Sequence, residues 1–532
     1  MDAIGFAMQK SAHISGMTRL EKQSWEAFEK EAAGKKVIVF GTGACFSFYL
    51  EKYRQNALID AVIDNDEKKQ GYSLAQIVPE AFGIRQADTI ISDISVLEQY
   101  LPDEVVILVA SINYYNDILE QLKTYGMTNC FVVLVMEAND RITVQREGAV
   151  KREWEKKRLF ANRCCGNPVM NNKLFFRTYG RYTDHQKYIT EALLKMRKDL
   201  DIVWEVSDLA EIVPEGIRKV YSGNWAQCIY EMETSKIWVL DLPTPDYIIK
   251  RPEQLYFQTK HWASITLKKF YLDAKTFESV PEKRENWKRD GRLIDYVITG
   301  SDFDTDSCRR GFGFEKEVLQ FGSPRSDALF HEKENRDKVY RYYRLEENRK
   351  SVIYAPTYRF DKDKGKNVHE SRNIELDFEA VKNSLEKRFG GEWYILMRLH
   401  PSVAMALKDV QMPEFAVDVS SYADSQELVS AADVMISDFS SIMFEPAFVK
   451  KPVFLFATDL QDYLENEYEL LIPYEELPFP IAETNAELEK RIREFDVEIY
   501  RSNVEAFLAR YGVHEDGHAS ERTAAFISEY IS

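Results

Sequence analysis

Residues 434–456 read VMISDFSSIMFEPAFVKKPVFLF, and the fold turns on how they are read. Val434–Ile436 is an apolar run too short for a helix. A serine-rich turn follows, then a short helical stretch that Pro446 keeps brief, then a second apolar run at 453–456. Strand, turn, helix, strand is the unit of a parallel α/β sheet. In open sheets of this kind ligands sit beyond the carboxyl ends of the strands. Here those positions carry Ser437, Asp438, Ser440 and Ser441, whose hydroxyls, with the N–H groups of a helix start, suit an anion. Glu445, about one turn on, can accept hydrogen bonds from ribose hydroxyls. The structural alternative is a plain Ser/Asp helix cap.

Working outward, the same question applies to each neighbouring strand. The run 351–354 (SVIY) leads into Ala355-Pro356-Thr357-Tyr358-Arg359, a hydroxyl and a guanidinium suited to phosphate. Strand 393–399 (WYILMRL) ends at His400-Pro401, where proline stops the strand and leaves the histidine at the sheet edge. Residues 322–327 (GSPRSD) make a further turn holding Arg325. Strand 255–258 (LYFQ) runs into Thr259-Lys260-His261-Trp262. His261 and His400 then face each other across a cleft between two α/β units, a placement suited to proton movement beside a phosphate.

A separate α/β pattern occupies the start of the chain. A polar-faced helix is expected over 18–34, strands at 36–40, 59–64 and 105–110, and a helix at 113–125. Gly41 and Gly43 follow the first strand and Asp64 ends the second, a nucleotide-type turn. Phe46 stands where a dinucleotide fingerprint has its third glycine, so NAD is not expected and a structural or partner-docking role competes. Residues 149–160 read as a basic linker helix, with lipid contact as the sharper alternative. The formal net charge of −17 argues against a nucleic-acid partner. Six cysteines without a C-x-x-C pair, no leader-like start and no apolar run of about 20 residues point to a cytoplasmic chain, peripheral at most to a membrane.

Taken in order, FFRTYGRYTDHQKYI, YFQTKHW, GSPRSD, YAPTYR, MRLHP and SDFSSIMFEPAFVKKPVF resemble the CDP-glycerol glycerophosphotransferase family, over roughly 170–470. The resemblance implies a GT-B-like pair of Rossmann lobes with the donor in the cleft. It also implies a catalytic histidine at His261, a second essential one at His400, donor-phosphate contacts from Ser440 and Ser441, and Glu445 near the ribose. Lys260 and Trp262 depart from the family pattern, which has an aromatic residue before the histidine and a glycine after it. The expected division is 1–145 (Rossmann-like), 146–168 (linker helix), 169–345 (acceptor lobe) and 346–532 (donor lobe). The implied reaction moves a polyol phosphate from CDP-glycerol, or a related CDP-polyol, to a polymer or lipid-linked acceptor at the inner membrane face. It calls for no certain cofactor, and a loosely held Mg²⁺ is compatible with it. A nucleotide-sugar glycosyltransferase and a non-catalytic assembly module are the competing readings.

Overall fold

The computed structural model describes residues 23–531, apart from 113, 140–145, 276–277, 279, 358–359, 362–365, 368–375, 400–411 and 467–468. β1 (Lys36–Phe40) is buried at every position but its first. That is why KVIVF needs no polar alternation: a central parallel strand has both faces covered. With β2 (Ala61–Ile63), β3 (Ile91–Ser92), β4 (Val105–Val109) and β5 (Cys130–Val132) it forms a parallel sheet of order β3-β2-β1-β4-β5. Gly41 leaves β1 at φ +101°, and a Cβ there would lie 2.9 Å from the carbonyl oxygen of Ala110, so the turn excludes any larger residue. The first helix among the described residues spans Trp25–Ala32, within the expected stretch, capped by Ser24.

A second parallel sheet contains β6 (Met170–Arg177), β7 (Asp201–Val206), β8 (Ile217–Tyr221), β9 (Ser235–Leu240), β10 (Leu255–Gln258), β11 (Tyr296–Ile298) and β12 (Glu317–Leu319), in the order β12-β11-β10-β9-β6-β7-β8. A third has β13 (Lys350–Ala355), β16 (Trp393–Met397), β17 (Ala416–Asp418), β18 (Val434–Ser437), β19 (Val453–Phe456) and β20 (Ile481–Ala482), ordered β17-β16-β13-β18-β19-β20. A two-stranded ribbon, β14 (Phe360–Asp361) with β15 (Lys366–Asn367), follows β13. In both large sheets the first strand is central and the order reverses beside it, between β6 and β9 and between β13 and β18. Such reversals open a crevice at the strands' carboxyl ends.

The last helix, Ala519–Glu529, does not stay with the third sheet. Its Ala524 and Ile527 join the core formed by Leu174 and Ile189 of the first lobe. Asp327 caps it, accepting from the Ala519 and Ser520 N–H groups at 3.0 and 2.7 Å. The lobes also meet through Lys187, whose ammonium lies 2.5 Å from Asp424 and 2.7 Å from Glu427.

The basic helix spans Arg146–Cys164 and bridges the N-terminal unit to the first lobe. Lys156 pairs with Glu51 and Glu80 of the former. The Trp154 indole N–H donates to Asp246 at 2.7 Å, and Phe160 packs edge-on against Trp225 at 5.5 Å. Both aromatic side chains that would anchor this helix in lipid therefore contact protein. Among the described residues no helix is long and apolar enough to cross a membrane.

Candidate active site

A cavity of about 490 Å³ lies between the two lobes. Tyr179, His261, Lys268, Lys269, Tyr271 and Arg325 line it from the first lobe, and Thr357, Ser440, Ser441 and Glu445 from the second. It opens at the reversal between β13 and β18, where the doubly wound order places a ligand.

β10 delivers His261 through a pinned turn. Lys260 takes a left-handed φ of 57° and is fully buried, so the chain reverses and His261 points outward into the cavity. The Tyr179 ring meets the imidazole edge-on at 5.6 Å. No described residue hydrogen-bonds the ring nitrogens of His261, which leaves them available to a substrate. Enclosure by the cleft walls is the main influence on this imidazole and pulls its pKa down to about 4; Asp184 opposes, while Arg325 and Lys260 add to the fall. At neutral pH the ring is uncharged and can accept a proton.

Arg325 ties the lobes together beneath the cavity. Its guanidinium donates to Asp184 and to the His261 carbonyl in the first lobe, at 2.8 and 2.9 Å, and to Glu445 in the second, at 2.8 Å. Glu445 is buried, and Gln426 donates to its second oxygen at 3.2 Å. Burial raises the Glu445 pKa against the pull of Arg325. His185 is buried nearby: its Nδ1 accepts from the Arg325 backbone N–H at 3.4 Å and its Nε2 faces the Trp262 carbonyl at 2.9 Å. That pattern fits the neutral Nε2–H tautomer, in keeping with a pKa driven well down by burial.

On the opposite wall Asp438 holds Thr357, accepting from its backbone N–H at 2.7 Å and from its hydroxyl. The first lobe carries the same device at its own strand reversal, where the Thr178 hydroxyl donates to Asp241 at 2.6 Å. Burial, then Asp184, pushes the Asp241 carboxyl up to about 8. Ser440 and Ser441 line the cavity, and the Ser441 hydroxyl also accepts from the Leu267 N–H across the lobes at 3.0 Å. The helix behind them is only a 3₁₀ turn, Ser441–Met443, continued by Phe444–Phe448. The hydroxyls, and not the dipole of a long helix, therefore supply the polar character of this wall.

The structure corrects several roles expected of individual residues. Ser437 is fully buried and its hydroxyl donates to the Ala355 carbonyl at 2.8 Å, so it closes the strand instead of meeting a ligand. Asp438 holds Thr357 instead of lining the cavity. Glu445 and Arg325 do line it, with the Arg325 guanidinium divided between Asp184 and Glu445. Arg359 and His400 lie outside the described residues. In the N-terminal unit Asp64 accepts from the backbone N–H of Thr42 at 2.9 Å and from that of Asp66 at 2.9 Å, which occupies both its oxygens within the turn of Gly41 and Gly43. Sequence reasoning gave no role to Tyr179, Asp184, Asp241 or Tyr271. Two of them sit in the FFRTYGRYTDHQ segment, whose density of polar residues after a strand was the available signal. Among the described residues no group of three His, Cys, Asp or Glu could hold a metal ion.

Two parallel-sheet lobes with a cavity of about 490 Å³ at their facing edges, walled by hydroxyls on one side, define a GT-B-like enzyme. The chain belongs to the CDP-Glycerol:Poly(glycerophosphate) glycerophosphotransferase family, whose model matches residues 159–529 and leaves the N-terminal unit outside. It is 30% identical over 378 residues to a teichoic acid poly(glycerol phosphate) polymerase of Staphylococcus epidermidis, covering 68% of this chain and 51% of that one. It thus spans about half the length of that relative. A teichoic acid glycerol-phosphate transferase of Staphylococcus aureus is 26% identical, over 66% of this chain and 91% of its own. Among solved structures, the wall teichoic acid polymerase TagF superposes with a TM-score of 0.64 at 28% identity, covering 72% of this chain and 95% of that chain.

Proposed function

We propose that this chain transfers a polyol phosphate, with glycerol phosphate the first choice, from a CDP-activated donor to a hydroxyl of a cell-envelope polymer or lipid-linked acceptor. The observation that carries the reading is His261: an uncharged imidazole open to an interlobe cavity, opposite a wall of hydroxyls, in a member of this family. In this reading 169–345 is the acceptor lobe and the chain from 346 the donor lobe, except that the helix Ala519–Glu529 returns to the acceptor lobe. The acceptor oxygen attacks the donor's β-phosphorus as His261 takes its proton. The new O–P bond forms while the bond from that phosphorus to the bridging oxygen breaks, and CMP leaves with the bridging oxygen. Ser440 and Ser441 donate to the diphosphate beside Thr357, whose own N–H and hydroxyl are held by Asp438, and such positioned donors are the largest catalytic contribution in comparable sites. His400, by family resemblance, and Arg359, as a guanidinium suited to phosphate, complete the donor side. A lipid-linked acceptor would bring the chain to the membrane surface.

The test is to offer CDP-glycerol, CDP-ribitol and UDP-sugars with a lipid-linked acceptor and to identify the nucleotide released. CMP from a CDP-polyol is the expected result. Release of UDP from a UDP-sugar would replace the reading with a glycosyltransferase, and no product from any donor would leave an assembly module.

The pH dependence follows from the environment of His261. Only the neutral ring accepts a proton, so activity falls as pH drops through its pKa. The acid limb of kcat/KM is expected near pH 4, well below the value of about 6.5 for an unperturbed histidine. A pH profile of CMP release checks it, and a limb between 6 and 7 would contradict the described environment.

A further inference from the structure

Lys260 is unusual physically. A lysine is almost never fully buried without a partner, yet Lys260 has no exposed surface and sits directly before the candidate base. Its ammonium lies 3.0 Å from Asp304 and donates to the Trp262 carbonyl at 3.2 Å. Asp304 in turn accepts from the Trp262 indole N–H at 3.0 Å, through its other oxygen. The Trp262 ring packs against Phe270, with centroids 4.4 Å apart. The Lys260 backbone N–H donates to Gln258 at 2.8 Å. Lysine, aspartate and tryptophan thus form a closed triangle around His261, and the carbonyls of His261 and Trp262 are each held by a buried side chain.

We infer that Lys260 is a positioning residue for His261: with Asp304 and Trp262 it fixes the left-handed bend that aims the imidazole, and places a positive charge behind it. The inference rests on His261 being the base of the proposed transfer. A left-handed conformation is disfavoured for a side chain like lysine and persists only when its surroundings impose it. The ion pair and the two carbonyl contacts impose it here. A positive charge beside an imidazole also disfavours its protonated form.

Other charged and titratable groups face His261 as well. Asp184 and His185 stand on the helix Asp184–Met196, Tyr179 on the turn before it, and Arg325 on its own short helix. Glu445 reaches from the second lobe through Arg325, and Lys268 and Lys269 line the same cavity. Lys260 differs from these in being both adjacent in the chain and buried beneath the turn.

The test uses two variants of the full chain. Lys260→Met removes the charge at similar length, and the double variant Lys260→Met/Asp304→Asn removes both charges, so that no unpaired carboxylate is left buried. Histidine ring NMR is read as a function of pH, with the His261 signal assigned by its loss in His261→Ala; kcat and KM for CMP release are measured in parallel. The His261 titration is expected to move upward in both variants by a part of its depression, since enclosure by the cleft walls holds the greater part, with the acid limb of kcat/KM following it. Displacement of the base is expected to lower kcat on the order of 10²-fold, with the donor's KM little changed. The inference is overturned if His261 titrates alike in all three proteins, or if the double variant regains wild-type kcat and pH profile. If the wild type releases no CMP, the proposed function fails, and the NMR titration still decides what Lys260 does to His261.

Discussion

Replacing His261 by alanine is expected to lower CMP release by about 10²–10⁴-fold, the usual contribution of a positioned general base. The fold should survive, because the ring is exposed to the cavity and hydrogen-bonds no described residue, so its loss opens no packed core. Donor KM should change little, since the diphosphate is held by the opposite wall. The loss should therefore appear in kcat, with an unfolding midpoint close to that of the wild type. Substantial turnover in a folded His261→Ala protein would remove this residue from the chemistry.

The second large effect concerns Arg325. It is 6% exposed, and Glu445, its partner across the lobes, is 1% exposed. Truncating one member of a buried ion pair leaves the other charge without compensation and costs about 3–5 kcal/mol. Arg325→Met strands both Glu445 and Asp184 and frees the His261 carbonyl. It is expected to lower the urea unfolding midpoint markedly and to reduce activity through loss of the closed cleft. Adding Glu445→Gln should recover part of the stability, because the two residues are coupled and their effects are not additive. An unchanged midpoint in the single variant would show that the lobes do not depend on this bridge.

The central strands were legible because each is a run of β-branched or aromatic residues bounded by turn signals: KVIVF, VVILV, WYILM and VFLF all lie in sheets. The edges were not. β3 and β20 have two residues each and β5, β12 and β17 three, too few for any periodicity to show. The return of Ala519–Glu529 to the first lobe was equally hidden, since an amphipathic helix reveals that it packs and not where. At the site, the rule that ligands meet strand ends selected His261, Thr357, Ser440 and Ser441. It could not tell which hydroxyl turns inward, and so placed Ser437 beside them. The Arg325 contacts with Asp184 and Glu445 span 141 and 120 residues of sequence, and no local pattern announces a pairing of that range. The departure at Lys260 and Trp262 was visible as a broken motif, whereas its compensation by Asp304 was visible only in three dimensions.

The most direct measurement is a structure of the His261→Ala chain with CDP-glycerol bound. The diphosphate should lie against Thr357, Ser440 and Ser441. Its β-phosphorus should face the vacated imidazole position, with room between for an attacking oxygen about 3–3.5 Å from phosphorus. A donor seated in another cavity, or one whose β-phosphorus turns away from position 261, would contradict the account.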